Sequence, residues 1–159
     1  MSPDAFPELR SLMSGLSPEE FSAIGMLDLQ RLKVEQAGVG AATAANMTEP
    51  MYGVFACLRM WFFLILRMEE GWPRTDYYMV YEYLNDLTVR DAIEDYLDAM
   101  PAGLKAKVDR LVVRLDERYS AVTVDDGGAE LAQYWRPLAE GRECRWWWTR
   151  KPEQLPPGW

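Results

Sequence analysis

The sequence predicts a mostly α fold: a single-domain helical bundle of about five helices with a short C-terminal strand or extended arm. Three observations carry this. Apolar residues recur at the three-and-four spacing of an amphipathic helix through residues 88–120. Ser17-Pro18-Glu19-Glu20 spells a helix start, with a capping serine, a proline in the first turn and a glutamate that can reach back to the cap. Met51–Met68 is apolar on nearly every face, as a helix surrounded by other helices is. The 159 residues, 49% of them apolar, suit one domain, 1–159, whose core needs no disulfide or metal staple.

The elements follow in order. Residues 1–16 hold Pro3, Pro7 and Gly15 and read as an irregular lead-in with one short turn around Leu9–Met13. The first helix begins after Ser17 and weakens at Gly38-Val39-Gly40, with Ala41–Ala45 free to resume it. The second begins at Thr48, with Glu49 and Pro50 in its first turn, and stops near Glu70 before Gly71-Trp72-Pro73. A third begins near Thr75 or Asp76, with Tyr77, Val80, Tyr81 and Leu84 at helical spacing. A fourth begins at Thr88 and ends before Pro101. The fifth spans Ala102–Ser120, with Leu104, Val108, Leu111, Val112, Leu115 and Tyr119 on one face.

Residues 122–159 form a Trp- and Pro-rich arm. Asp125-Asp126-Gly127-Gly128 is a turn, and Ala129–Trp135 a short helix before Pro137. Arg142–Thr149 reads as a strand because tryptophan favours pleated backbone. The tail KPEQLPPGW is extended.

Met51–Met68 is too short to cross a bilayer. Its eighteen residues would span about 27 Å as a helix against a hydrocarbon core of roughly 30 Å, and Arg59 lies within the run. The first residues, MSPDAFPELRS, have neither a basic nor an apolar run, so a cytoplasmic protein without a signal peptide is expected.

A net charge of −8 disfavours nucleic acid as a partner and suits a basic protein. The histidine count of zero removes Ser-His-Asp, Cys-His and histidine-ligated metal chemistry. No glycine-rich phosphate loop is present. No cofactor and no metal site is expected.

Four features carry the candidate sites. Asp91, Glu94, Asp95 and Asp98, with Asp86 nearby, form an acidic helix face, read as a docking stripe or as a merely solvated surface. Among Tyr77, Tyr78, Tyr81 and Tyr83 at least one must be exposed, and Tyr78 and Tyr83 are the candidate anchors. Trp146-Trp147-Trp148 lies among Arg142, Arg145, Arg150 and Lys151. With the middle ring of a strand facing away from its neighbours, Trp147 and Arg145 are the candidate contacts. The alternative is a segment that seals the bundle. Cys144 could be activated by Arg142 and Arg145.

Together these point to a small acidic intracellular protein-binding module, an immunity- or antitoxin-type inhibitor in its most concrete form, rather than an enzyme. Two alternatives stand beside it. One is a structural or regulatory subunit of a homo-oligomer, with Met51, Met60 and Met68 at the interface. The other is a carboxylate and metal enzyme, with Glu69 or Glu70 converging on Asp91 or Asp95.

Overall fold

A computed structural model describes residues 5–73 and 77–159; the expected helix start at Thr75 or Asp76 lies outside the described residues. The fold is mostly α. Seven helices run in order among the described residues: α1 Pro7–Ser14, α2 Pro18–Ala37, α3 Ala41–Asn46, α4 Val54–Glu69, α5 Val80–Ala99, α6 Ala102–Ala121 and α7 Arg136–Ala139. Two short strands, β1 Thr123–Asp125 and β2 Arg150–Pro152, pair antiparallel with Thr123 opposite Pro152 and Asp125 opposite Arg150. These elements make two compact units. Unit 1 is residues 1–60 with 92–112, and unit 2 is residues 61–91 with 113–159.

Unit 1 is built on α1, α2 and α3, with residues from α4, α5 and α6. Its interior holds Leu9, Ile24, Val54, Cys57, Ile93, Leu104 and Val108. α1 replaces most of the irregular lead-in, because Pro7 suits a first helical turn and Leu9 has a core to enter. α2 begins as expected. The Ser17 hydroxyl accepts from the Glu20 amide at 3.1 Å, and Glu20 accepts from the Ser17 amide at 3.0 Å. Lys107 donates to Glu20 at 2.6 Å and holds its carboxyl below the ordinary value.

The second predicted helix starts six residues late, at Val54. Thr48, Glu49 and Pro50 lie in a loop that distant carboxylates hold. Glu35 accepts from the amides of Met51 and Tyr52 at 2.7 and 3.0 Å, and Asp28 accepts from Val54 at 2.9 Å. Asp28 thus satisfies an orphan amide of α4 that a local cap would otherwise take.

Unit 2 is built on residues from α4, α5 and α6, the strand pair and the C-terminal arm. Its interior holds Trp61, Leu64, Ile65, Tyr83, Leu87, Leu115, Tyr119, Leu131, Trp147 and Trp148. α4 ends as its glycine predicts. Gly71 takes φ 70°, its amide returns to Met68, and the Trp72 amide reaches Arg67 at 2.8 Å.

The third and fourth predicted helices are one helix, α5. No glycine or proline interrupts residues 80–99, and Thr88 turns its hydroxyl back to the Asn85 carbonyl at 2.6 Å instead of capping a new helix. The predicted strand Arg142–Thr149 is also corrected. Trp146–Thr149 is a 3-10 turn, and the extended residues are Arg150–Pro152. The turn at 125–128 stands, with Gly127 and Gly128 at φ 70° and 87°.

Replacing Ser17 by Ala is expected to lower the stability by about 1 kcal/mol. Thr48→Ala is expected to change it by under about 0.5 kcal/mol, since Thr48 is exposed and caps no helix. Urea denaturation of the two variants checks the contrast.

Candidate functional site

The structure separates the predicted site residues. In unit 2, Tyr83 is fully buried, Tyr78 is 6% exposed and Trp147 is 2% exposed, so none can anchor a partner. The tyrosine phase is off by one position. The inward stripe of α5 is Val80, Tyr83, Leu84 and Leu87, whereas Tyr77 and Tyr81 are the exposed pair.

Asp91 is spent internally. Its carboxylate accepts from the Trp147 indole at 2.9 Å and from the Trp148 indole at 3.1 Å, while Arg145 donates to its backbone carbonyl at 3.0 Å. Arg145 also stands 3.5 Å from that carboxylate and over the Trp147 ring. Trp146, 42% exposed, is the ring left outside, in place of the Trp147 expected from a strand. Cys144 is not activated. Burial and the nearby Asp91 push its thiol up, against the pull of Arg142.

Glu69 does not converge with Asp91. It accepts two hydrogen bonds from Arg118, at 2.7 and 2.6 Å. Among the described residues no group of three or more His, Cys, Asp or Glu could hold a metal ion, and no helix is long and apolar enough to cross a membrane. Of the methionines proposed for an interface, Met68 is buried and Met51 lies outside the helix, 65% exposed.

In unit 1, Asp95 and Asp98 are exposed and Glu94 is half-buried. Lys105 stands 3.9 Å from Asp98. The larger feature of this unit was not anticipated from the sequence. α2 is twenty residues long yet buries only Ile24 and Leu32. Phe21, Met26, Leu29 and Val34 are 40%, 58%, 45% and 66% exposed.

Beside α2 runs a groove of about 410 Å³. Gly25, Asp28 and Leu29 form one wall, Glu49 and Pro50 of the carboxylate-held loop another, and Phe55 and Arg59 of α4 the third. Phe21, Gly25 and Leu29 are four apart, so they line one edge of the helix. Phe21 meets Phe55 at 6.3 Å between ring centroids. A Cβ on Gly25 would meet nothing within 4 Å.

The groove's polar parts are rigid. Asp28 is tied to the Val54 amide, and burial raises its carboxyl above the ordinary value against that hydrogen bond. Tyr96 donates to the Tyr52 carbonyl at 2.7 Å, and Arg31 pairs with Glu35 at 3.2 Å while lying over the Tyr52 ring. Cys57, fully buried, has its thiol pushed up to about 12 by burial, so it packs rather than reacts. The loop therefore presents a formed surface to a ligand with little ordering cost. The chain matches no family model, and no curated protein or solved structure is similar to it.

Two predictions follow from the charges of unit 2. Asp91→Ala leaves two indole N–H groups without acceptors, and urea denaturation should show a loss of about 3 kcal/mol. Asp86 accepts the Tyr78 hydroxyl, and burial pushes its carboxyl from 3.8 up to about 6, with Arg67 opposing the rise and Glu82 adding to it. The folded chain then holds this proton more tightly than the unfolded chain between those values. Stability contributed by this group falls as pH rises through that window, by up to about 3 kcal/mol. The stability difference between the wild type and Asp86→Asn, followed from pH 4 to 7 (a range set by that shift), should carry this slope. A pH-independent difference would contradict it.

Proposed function

We propose that this chain is a protein-binding module whose docking surface is the unit 1 groove beside α2. The observation that carries the reading is the uncovered apolar edge of α2, set against a preformed groove. Exposed apolar side chains along a groove mark interaction sites more often than isolated ones do. The partner inserts an apolar side chain between Leu29 and Phe55. It also sets basic groups against Asp28 and Glu49, which outnumber Arg59 on the groove walls.

A basic partner also suits the net charge of −8, with the exposed Asp95 and Asp98 of unit 1 steering its approach. In its finest form this is an acidic inhibitor of the immunity or antitoxin kind, covering a basic partner and blocking it sterically. The same apolar edge would also serve self-association, the homo-oligomer reading.

Gly25→Leu tests the groove with little risk to the fold. The glycine is exposed within a helix, so leucine should raise stability by up to about 1 kcal/mol while filling the groove. The wild type, tagged and purified from its host at physiological salt, is expected to bring down a stoichiometric basic protein that leaves at high salt. Gly25→Leu should weaken that complex at least about tenfold, and Asp95→Lys with Asp98→Lys should slow its association at low salt. An undiminished complex with Gly25→Leu removes the groove as the docking site. A lone chain that light scattering finds self-associated moves the reading to the homo-oligomer.

A further inference from the structure

Unit 2 holds a second concavity of different chemistry. It measures about 160 Å³ and is walled by Trp72, Tyr77, Tyr78 and three prolines, with Arg67 and Glu82 as its charged groups among the described residues. Its walls are fixed from several directions. The Trp72 indole donates to the Gln154 carbonyl at 2.7 Å, the Tyr78 amide donates to the Pro157 carbonyl at 3.0 Å, and the two rings lie 4.8 Å apart. Tyr77 lies so close to Gly158 that a Cβ there would meet its ring at 2.7 Å. Trp72 itself takes φ 58°, a left-handed backbone that non-glycine residues seldom adopt, so its ring is held here at some cost.

Arg67 is the unusual member. Other half-buried or buried guanidiniums of unit 2 have polar partners: Arg90 has Asp116, Arg118 has Glu69, Arg145 has Asp91, and Arg150 donates to Thr123 and to the Ser120 carbonyl. Arg67 is half-buried, and its side chain makes no ion pair or hydrogen bond among the described residues, although its charge is felt by the buried Asp86 carboxyl. Its only close contact of this kind is with the Tyr78 ring, 5.6 Å from the centroid. Its planar fork of donors is therefore available to a carboxylate. Glu82 spends Oε2 on the Met79 amide at 2.7 Å and keeps its other oxygen for a cation.

The volume suits one aromatic ring, since a cavity of about 150 Å³ takes up benzene. A purely cationic ligand is disfavoured, because Arg67 already occupies the cation position over Tyr78. A purely anionic one meets Glu82. We infer that this pocket binds an aromatic α-amino acid, its ring among Trp72, Tyr77 and the prolines, its carboxylate on Arg67 and its ammonium on Glu82. The site uses none of the groove residues of unit 1 and does not depend on the docking proposal.

Calorimetric titration of the full chain with L-phenylalanine tests this, with 3-phenylpropionate and phenethylamine as probes that each lack one charge. L-Phenylalanine is expected to bind with a Kd on the order of a millimolar or tighter, and each truncated probe at least about tenfold more weakly. Arg67→Gln should abolish binding of L-phenylalanine and of 3-phenylpropionate. Glu82→Gln keeps an oxygen for the Met79 amide and should weaken L-phenylalanine alone. Circular dichroism should show both variants folded, since neither side chain is buried. Absence of heat with L-phenylalanine, or an unchanged Kd in Arg67→Gln, overturns the inference. Equal affinity for 3-phenylpropionate overturns the zwitterion in favour of an aromatic acid.

Discussion

The guanidinium of Arg90 lies almost wholly out of water, at 4% exposure, and the C-terminal half of unit 2 is arranged around it. Asp116 answers its charge through two close contacts, 3.0 and 2.8 Å, and also accepts from the Trp61 indole at 3.1 Å. The Trp147 ring closes over it at 4.1 Å. A buried guanidinium stripped of its acid would leave an uncompensated charge costing about 3–5 kcal/mol, so these groups stand or fall together. The next residue, Asp91, then draws the indoles of Trp147 and Trp148 to one carboxylate. Trp148 also stacks on Trp135 at 3.7 Å between ring centroids, which adds a further contact holding the arm.

The same economy runs through the tyrosines. The hydroxyls of Tyr83 and Tyr119 lie 2.6 Å apart, with the Arg150 carbonyl 2.9 Å from the first and the Trp147 carbonyl 3.0 Å from the second. Two protons serve three contacts, so the pair acts as one buried hydrogen-bonding set. Arg150 donates to Thr123 and to the carbonyl of Ser120, fastening β2 beside β1. An arm rich in tryptophan and arginine thus becomes interior because each polar tip has a partner waiting. That requirement governs buried Trp and Tyr in general.

What was legible in the sequence was local chemistry. Ser17 and Glu20 cap α2 with each other, Gly71 turns the end of α4, and the leucines and valines of α6 announce their own face. What was illegible was decided across the chain. Nothing near Thr48 reveals that Glu35 and Asp28 will hold the following loop and start α4 at Val54. Thr88 fits a cap rule, but that rule needs a break in the helix, and residues 80–99 contain no breaker. The phase error at Tyr78 and Tyr83 follows from reading Tyr77 as helical. The Trp146–Trp148 turn depends on Asp91, more than fifty positions away. The α2 groove had a faint signal, the merely fair helical spacing of Phe21, Ile24, Leu32 and Val34, which is how a helix with apolar residues on more than its buried side reads.

The two units spend their surplus differently, and that decides where a partner should look. Unit 2 is rich in aromatic side chains and keeps most of them inside, so aromatic content alone would mislead about its surface. Unit 1 leaves Phe21, Met26, Leu29 and Val34 exposed on one helix, α2. The acidic stripe also contracts, because Asp91 faces Arg145 and two indole donors, leaving Asp95 and Asp98 as its exposed members. Rim charges such as these change association rates more than affinity, whereas buried apolar anchors near the centre of an interface set dissociation. A complex made at the α2 edge should therefore draw its lifetime from Phe21 and Leu29 and its salt dependence from the carboxylates around them.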